Sequence, residues 1–461
     1  MSRPWHSASV WLSLSMFLAA WLTAVSAGYG QQIGAGSDWK FDVLHLKNGG
    51  KIQGYIQEES SDKIGFWQIL QKPGKATVRF FSTFSRGEIE SIERVGETDR
   101  DTLKARVDCL APTFEQEQME QLQLKIVPWG GDPQGGLSYC SDQFTLYSDA
   151  GDEIVRRAAY RLEQVYAAFP RLLQPRRKGP HPTRITLFQS LAEYHQELTR
   201  AGRNVGNTAY YDVGRNEIFC ASDLQRLREE LERRRKEHQT MQARLTAQEA
   251  AWNKQYHNRV PLQLLHELES DRQRIQKANE DNERTFEKAT RMLFQTLYHE
   301  AFHAYLASCV YPPKEFDVPR WLNEGLSQIL ENAIVEAGAL RIGHVDPERL
   351  SRVKSALQQG ELVPLDQLVR AEPERFLLGH GQDERLSDRL YLTSWALTFY
   401  MVFERKKLGD QEVEGYLRSL RKEDPAKALA DWAGLPLDEL EAAFKSYVRD
   451  LRADGRRRGE G

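Results

Sequence analysis

His299-Glu300-Ala301-Phe302-His303 decides how this 461-residue chain is read. In a helix, residues i and i+4 lie one above the other on the same face. His299 and His303 would therefore offer two imidazoles to one metal ion from a rigid base, with Glu300 projecting beside them to reach an ion-activated water. Met292, Leu293, Leu297, Phe302 and Leu306 supply the apolar positions that would bury such a helix. At this chain's His and Glu content the spacing would arise by chance in roughly one sequence in 50, so it needs a second signal.

That signal is Val318-Pro319-Arg320-Trp321-Leu322-Asn323-Glu324-Gly325-Leu326, which places 20 residues between His303 and Glu324. Pro319 is suited to open a helix. Two antiparallel helices joined by a loop of this length would set Glu324 opposite the two histidines. Two imidazoles and a carboxylate, with one position left for water, form a donor set suited to zinc.

HEAFH followed by WLNEGLS resembles the gluzincin, or peptidase-MA-like, zinc metallopeptidases. It also resembles the WLNEG signature of the M1 aminopeptidases, and most of all secreted bacterial peptidase-MA-like proteins of unknown function. The resemblance covers about residues 140–405. It implies that His299, His303 and Glu324 are zinc ligands and that Glu300 is the general base of peptide-bond hydrolysis. It also points to Tyr391, read as the start of a helix, as the donor to the oxyanion, with His380 a weaker candidate. The chain departs from the family twice. Some gluzincins carry an Asp four residues after the third ligand, where this chain has Gln328, so Asn323 or Glu331 would have to orient a histidine instead. The GxMEN motif of the M1 aminopeptidases is absent, with only Gly206-Asn207-Thr208-Ala209-Tyr210 nearby, so exopeptidase activity is unsupported.

Outward from the motif, the expected class is α+β. It consists of a gluzincin-like unit of mixed sheet and active-site helices, with a long helical hairpin inserted and a small SH3- or Sm-like β-barrel in front. Residues 1–27 read as a secretory signal, in which Arg3 precedes an apolar run and Val25-Ser26-Ala27 ends in small residues. Residues 41–95 hold about five short strands separated by turn signals such as Asn48-Gly49-Gly50. Residues 96–137, with the Gly-rich Trp129 to Gly136, read as a linker. Residues 138–222 alternate strand and helix and end in a hairpin, Thr208 to Cys220, which the gluzincin resemblance would make the edge that pairs with substrate and which ordinary sheet packing explains equally well.

Residues 223–290 turn strongly polar, with Leu224, Leu231, His238, Leu245 and Trp252 at seven-residue intervals. This reads as an antiparallel helical hairpin. Residues 291–345 carry the zinc-site helices, residues 346–452 a further helical part, and residues 453–461 a disordered tail. Cys109, Cys140, Cys220 and Cys309 would permit two disulfides in an exported chain, or remain buried thiols.

Lys+Arg 63 against Asp+Glu 66 leaves a net charge of -3, which speaks against nucleic acid as a partner. The expected partner is a peptide or protein substrate, with the barrel and the hairpin as candidate docking surfaces for an envelope protein. The expected location is periplasmic or extracellular. The alternative is a catalytically inactive metalloprotease-fold scaffold of the cell envelope. A wild type that retains zinc yet is inactive across a broad peptide library would favour this scaffold.

Overall fold

The computed structural model describes residues 39–203, 207–337, 339–376 and 382–459. The expected secretory signal and His380 lie outside the described residues. The protein is of mixed α+β class.

Five strands come first: β1 (Asp42–Leu46), β2 (Lys51–Glu59), β3 (Lys63–Leu70), β4 (Val78–Ser85) and β5 (Ile89–Glu93). They form one antiparallel sheet in the order β4-β3-β2-β1-β5. Bulges in β1 and β2 bend it around Leu44, Ile56, Ile64, Phe66 and Ile89. The ladder does not close among the described residues, since β4 and β5 are its two edges. The five strands expected here are all present and form this one antiparallel sheet, with a short 3-10 turn at Arg86–Glu88 joining β4 to β5. The sheet's other face carries Trp39, Tyr55 and Ile69, and these are covered by the next helix instead of by strands.

Residues 96–137 are not a linker. They form α1 (Glu97–Cys109), α2 (Phe114–Gln121), β6 (Lys125–Trp129) and most of β7 (Asp132–Cys140). Leu103 and Val107 of α1 seal the cluster around Trp39. Buried Asp42 ties α1 to the sheet: it accepts Ile56 N at 2.9 Å and Val95 N at 3.0 Å, and it pairs with Arg100 at 3.0 Å. The turn is confined to Gly130-Gly131, whose positive φ values of 58° and 93° suit a two-residue hairpin. Gly135 and Gly136 lie within β7.

The main sheet adds β8 (Phe144–Ser148), β9 (Thr183–Phe188), β10 (Ala209–Asp212) and β11 (Glu217–Ala221). Its order is β10-β11-β9-β8-β7-β6, with β8, β9 and β11 parallel and β10 an edge strand among the described residues. Helix α3 (Asp152–Leu172) presents Val155, Ala158, Leu162, Val165 and Phe169 to the core at helical spacing. Helix α4 (Leu191–Arg200), capped by Ser190, packs nearer the β10 edge.

Helices α5 (Leu224–Gln255) and α6 (Leu262–Tyr305) make an antiparallel arm. It is laced by polar contacts, among them Arg235–Glu283 at 3.1 Å and His238–Asn279 at 2.6 Å. No break falls at residue 290: α6 is one 44-residue helix that leaves the arm and enters the core. There it buries Leu293, Phe294, Leu297, Tyr298 and Phe302, then widens into a π-type turn at Leu306–Val310. Helix α7 (Arg320–Glu331) returns beside it, followed by the hairpin β12 (Ile334–Glu336) and β13 (Ala339–Arg341).

The rest is helical: α8 (Pro347–Gln358), α9 (Leu365–Val369), α10 (Pro373–Phe376), α11 (Gln382–Phe399), α12 (Asp410–Ser419), α13 (Pro425–Ala433) and α14 (Leu437–Asp450). The tail is ordered through residue 459. Arg457 bridges back to Leu451 and pairs with Glu404 at 3.1 Å, and Ala453 O accepts Val345 N at 2.9 Å. It has no apolar period to announce its order, which comes from ion pairs and backbone bonds. The four cysteines form no disulfide.

Candidate metal centre

His299 and His303 stand one turn apart on α6, with 14% and 8% of their side chains exposed. Their Nε2 atoms face each other at 2.9 Å. Glu324, on α7 and only 1% exposed, faces both. Its Oε2 lies 3.2 Å from His299 Nε2 and its Oε1 lies 3.4 Å from His303 Nε2. The three groups can hold a metal ion, with one donor atom from each lying within 4.8 Å of the others.

The outer partners define what the inner atoms offer. His299 Nδ1 lies 2.6 Å from Glu331 Oε1, and Arg349 holds the other oxygen of Glu331 at 2.7 Å. His303 Nδ1 lies 2.9 Å from Asn323 Oδ1 and 3.1 Å from Ser327 Oγ. A carboxylate and an amide oxygen can only accept, so both Nδ1 atoms donate. That leaves two Nε2 lone pairs converging with a carboxylate, an arrangement that calls for a cation or a proton. Neither Glu324 oxygen accepts a well-directed hydrogen bond in its burial, although Arg320 Nη2 lies 2.7 Å from Oε1. The donor set therefore fits a bound cation.

Electrostatics agree. Burial alone would lower the pKa of His299, but the Glu324 and Glu331 carboxylates outweigh it and raise it well above the imidazole range. Burial would likewise raise Glu324, yet His303, His299 and Arg320 hold it well below the usual carboxylate range.

Both residues proposed to replace the missing Asp make contact. Glu331 takes His299 and Asn323 takes His303. Gln328 does not reach a histidine; its Nε2 donates to the carbonyls of Glu324 and Tyr391, tying α7 to α11. Tyr391 lies in mid-helix, not at a helix start, because α11 begins at Gln382. Its hydroxyl lies within the fields of Glu324, Arg320 and Glu300. Burial, with Glu324, pushes its pKa up to about 12, so it is a protonated donor at neutral pH.

Glu300 is half-buried and carries no hydrogen bond or ion pair among the described residues. Its charge, after burial, helps raise the pKa of Tyr210 on the β10 edge and of Tyr194 on α4. The general-base candidate thus lies one residue from His299 on α6 and within electrostatic reach of Tyr210 on β10 and of Tyr391.

Sequence reasoning missed Ser327, Arg349 and the contact of Arg320 with Glu324. Only the last had a signal, the i,i+4 spacing of Arg320 and Glu324.

A family profile described as a protein of unknown function (DUF1570) matches residues 294–425. The match takes in the cluster, the C-terminal end of α6, all of α7 and Tyr391, and leaves out both N-terminal sheets and the arm. No curated protein and no solved structure matches the chain.

Proposed function

We propose that the protein is a zinc-dependent peptidase of gluzincin type, exported to the periplasm or beyond, that hydrolyses peptide or protein substrates. The observation that carries this reading is the convergence of His299, His303 and Glu324, backed by Glu331 and Asn323, beside a Glu300 that is unpaired among the described residues. Two imidazoles and one carboxylate favour zinc over the harder cations, which prefer all-oxygen shells.

Zinc, when bound, supplies a Lewis acid that polarises a scissile carbonyl and eases the ionisation of water. The remaining work falls to the chain. The edge strand β10 offers main-chain donors and acceptors to an extended substrate. Glu300 accepts a proton from the attacking water and returns it to the leaving amine. The Tyr391 hydroxyl, kept protonated, donates to the oxygen on which negative charge develops. Glu331 and Asn323 hold the imidazoles in the tautomer that presents Nε2.

The test is a digest of a proteome-derived peptide library by wild type and Glu300→Gln. The reading expects cleavage by wild type, at least about 100-fold less by Glu300→Gln, and equal zinc content in both. A wild type that carries zinc but cleaves nothing would favour the inactive scaffold.

A further inference from the structure

One charged contact at the cluster is not explained by metal ligation. Arg320 lies one turn before Glu324 on the same face of α7, its Nη2 2.7 Å from Oε1. The same guanidinium lies within the electrostatic reach of the Tyr391 hydroxyl and of Glu300. Its Nε is buried without a hydrogen-bond partner, and buried Trp321 and Leu322 fix the turn that carries it. Among the described residues no other Lys or Arg pairs with a member of the triad. Arg349 acts on Glu331, one layer further out.

A fixed cation on a ligand carboxylate opposes a metal ion in two ways. It repels the ion directly, and it draws charge away from the oxygen that must donate. It also stabilises the buried carboxylate when no ion is bound, so the ion gains less by arriving. An arginine there is a poor choice for tight metal retention.

We infer that Arg320 is a positioning residue that works through Glu324. It occupies Oε1, leaves Oε2 turned towards His299, and keeps the bound ion weakly held and electron-poor, so that the site exchanges its metal. This rests on the metal-site reading above. A residue that merely packed α7 would have the opposite signature, because its loss would loosen the ion.

The experiment measures zinc affinity of the full chain by competition with a chromogenic chelator. Wild type, Arg320→Gln, Arg320→Met and Arg320→Lys are compared, each checked for folding by circular dichroism. The two neutral variants are expected to bind zinc about ten-fold tighter or more. Arg320→Lys, which keeps the charge, is expected to stay close to wild type. The visible spectrum of the cobalt-loaded protein should change in the neutral variants. Unchanged or weaker zinc binding in whichever neutral variant folds would overturn the inference, as would tighter binding by Arg320→Lys. If neither neutral variant folds, an affinity of Arg320→Lys far from wild type overturns it. A wild type that binds no zinc overturns the metal-site reading itself. A wild type with one zinc, beside neutral variants that bind no tighter, overturns only the role of Arg320.

Discussion

Glu331 does for His299 what Gln328 cannot, and it is itself fixed by Arg349. Removing its charge while keeping its shape should therefore weaken the centre without unmaking it. Glu331→Gln is expected to bind zinc about 10- to 100-fold more weakly, as loss of an outer partner of a metal-bound histidine does. A chelator titration checks this. The same residue gives a pH dependence of known sign. Burial would raise the Glu331 carboxyl, but His299 and Arg349 outweigh it and hold it below its ordinary value of 4.5. A depressed carboxylate contributes stability above the unfolded value and loses it as pH falls through the folded one. Chelator-treated wild type should thus lose stability more steeply below about pH 4.5 than Glu331→Gln. Denaturant melts between pH 3 and 6 would show it, and equal slopes would contradict it.

At the scale of elements, Gly325 sets how closely α7 can approach α11. A Cβ there would stand 2.0 Å from Thr398 Oγ1 and 2.7 Å from Ser394 O. Gly325→Ala is expected to cost about 1–3 kcal/mol or more, read from equilibrium unfolding. Thr398→Ala added to it should recover only part, since the Ser394 carbonyl remains. The glycine of WLNEG is thus explained by packing, while its glutamate is explained by the cluster. The two imidazoles on one helical face were legible because i,i+4 spacing needs no partner to be read. Glu331 was not, because it lies two turns beyond Glu324 and its meaning appears only once α7 stands against α6. The continuity of α6 was hidden by the change from polar to apolar composition near residue 290. Helix α1 was hidden because Leu103 and Val107 leave a weak apolar period.

Across the whole molecule, the N-terminal sheet is joined to the helical body. Thr77 donates its N to Glu336 at 2.8 Å and its hydroxyl to the same carboxylate, which Arg341 also holds at 2.7 Å. Glu336 lies five residues beyond Glu331, so the sheet abuts the hairpin that follows the metal helix. The arm contributes far less: along most of its length only Leu268 and Ile275 are buried. Replacing residues 235–283 with a short turn, at the level where Arg235 meets Glu283, should leave the melting temperature within a few degrees and the zinc content unchanged. Calorimetry and metal analysis would check both, and collapse of the fold would show that the arm is structural. The described helices include none long and apolar enough to cross a membrane. Everything proposed for the chain depends on the cluster being a metal centre, and the metal content of the purified full chain tests that most directly. The account predicts about one zinc per wild-type chain and almost none in folded His299→Ala or Glu324→Ala. A folded wild type that takes up no zinc, or variants that keep it, would contradict it.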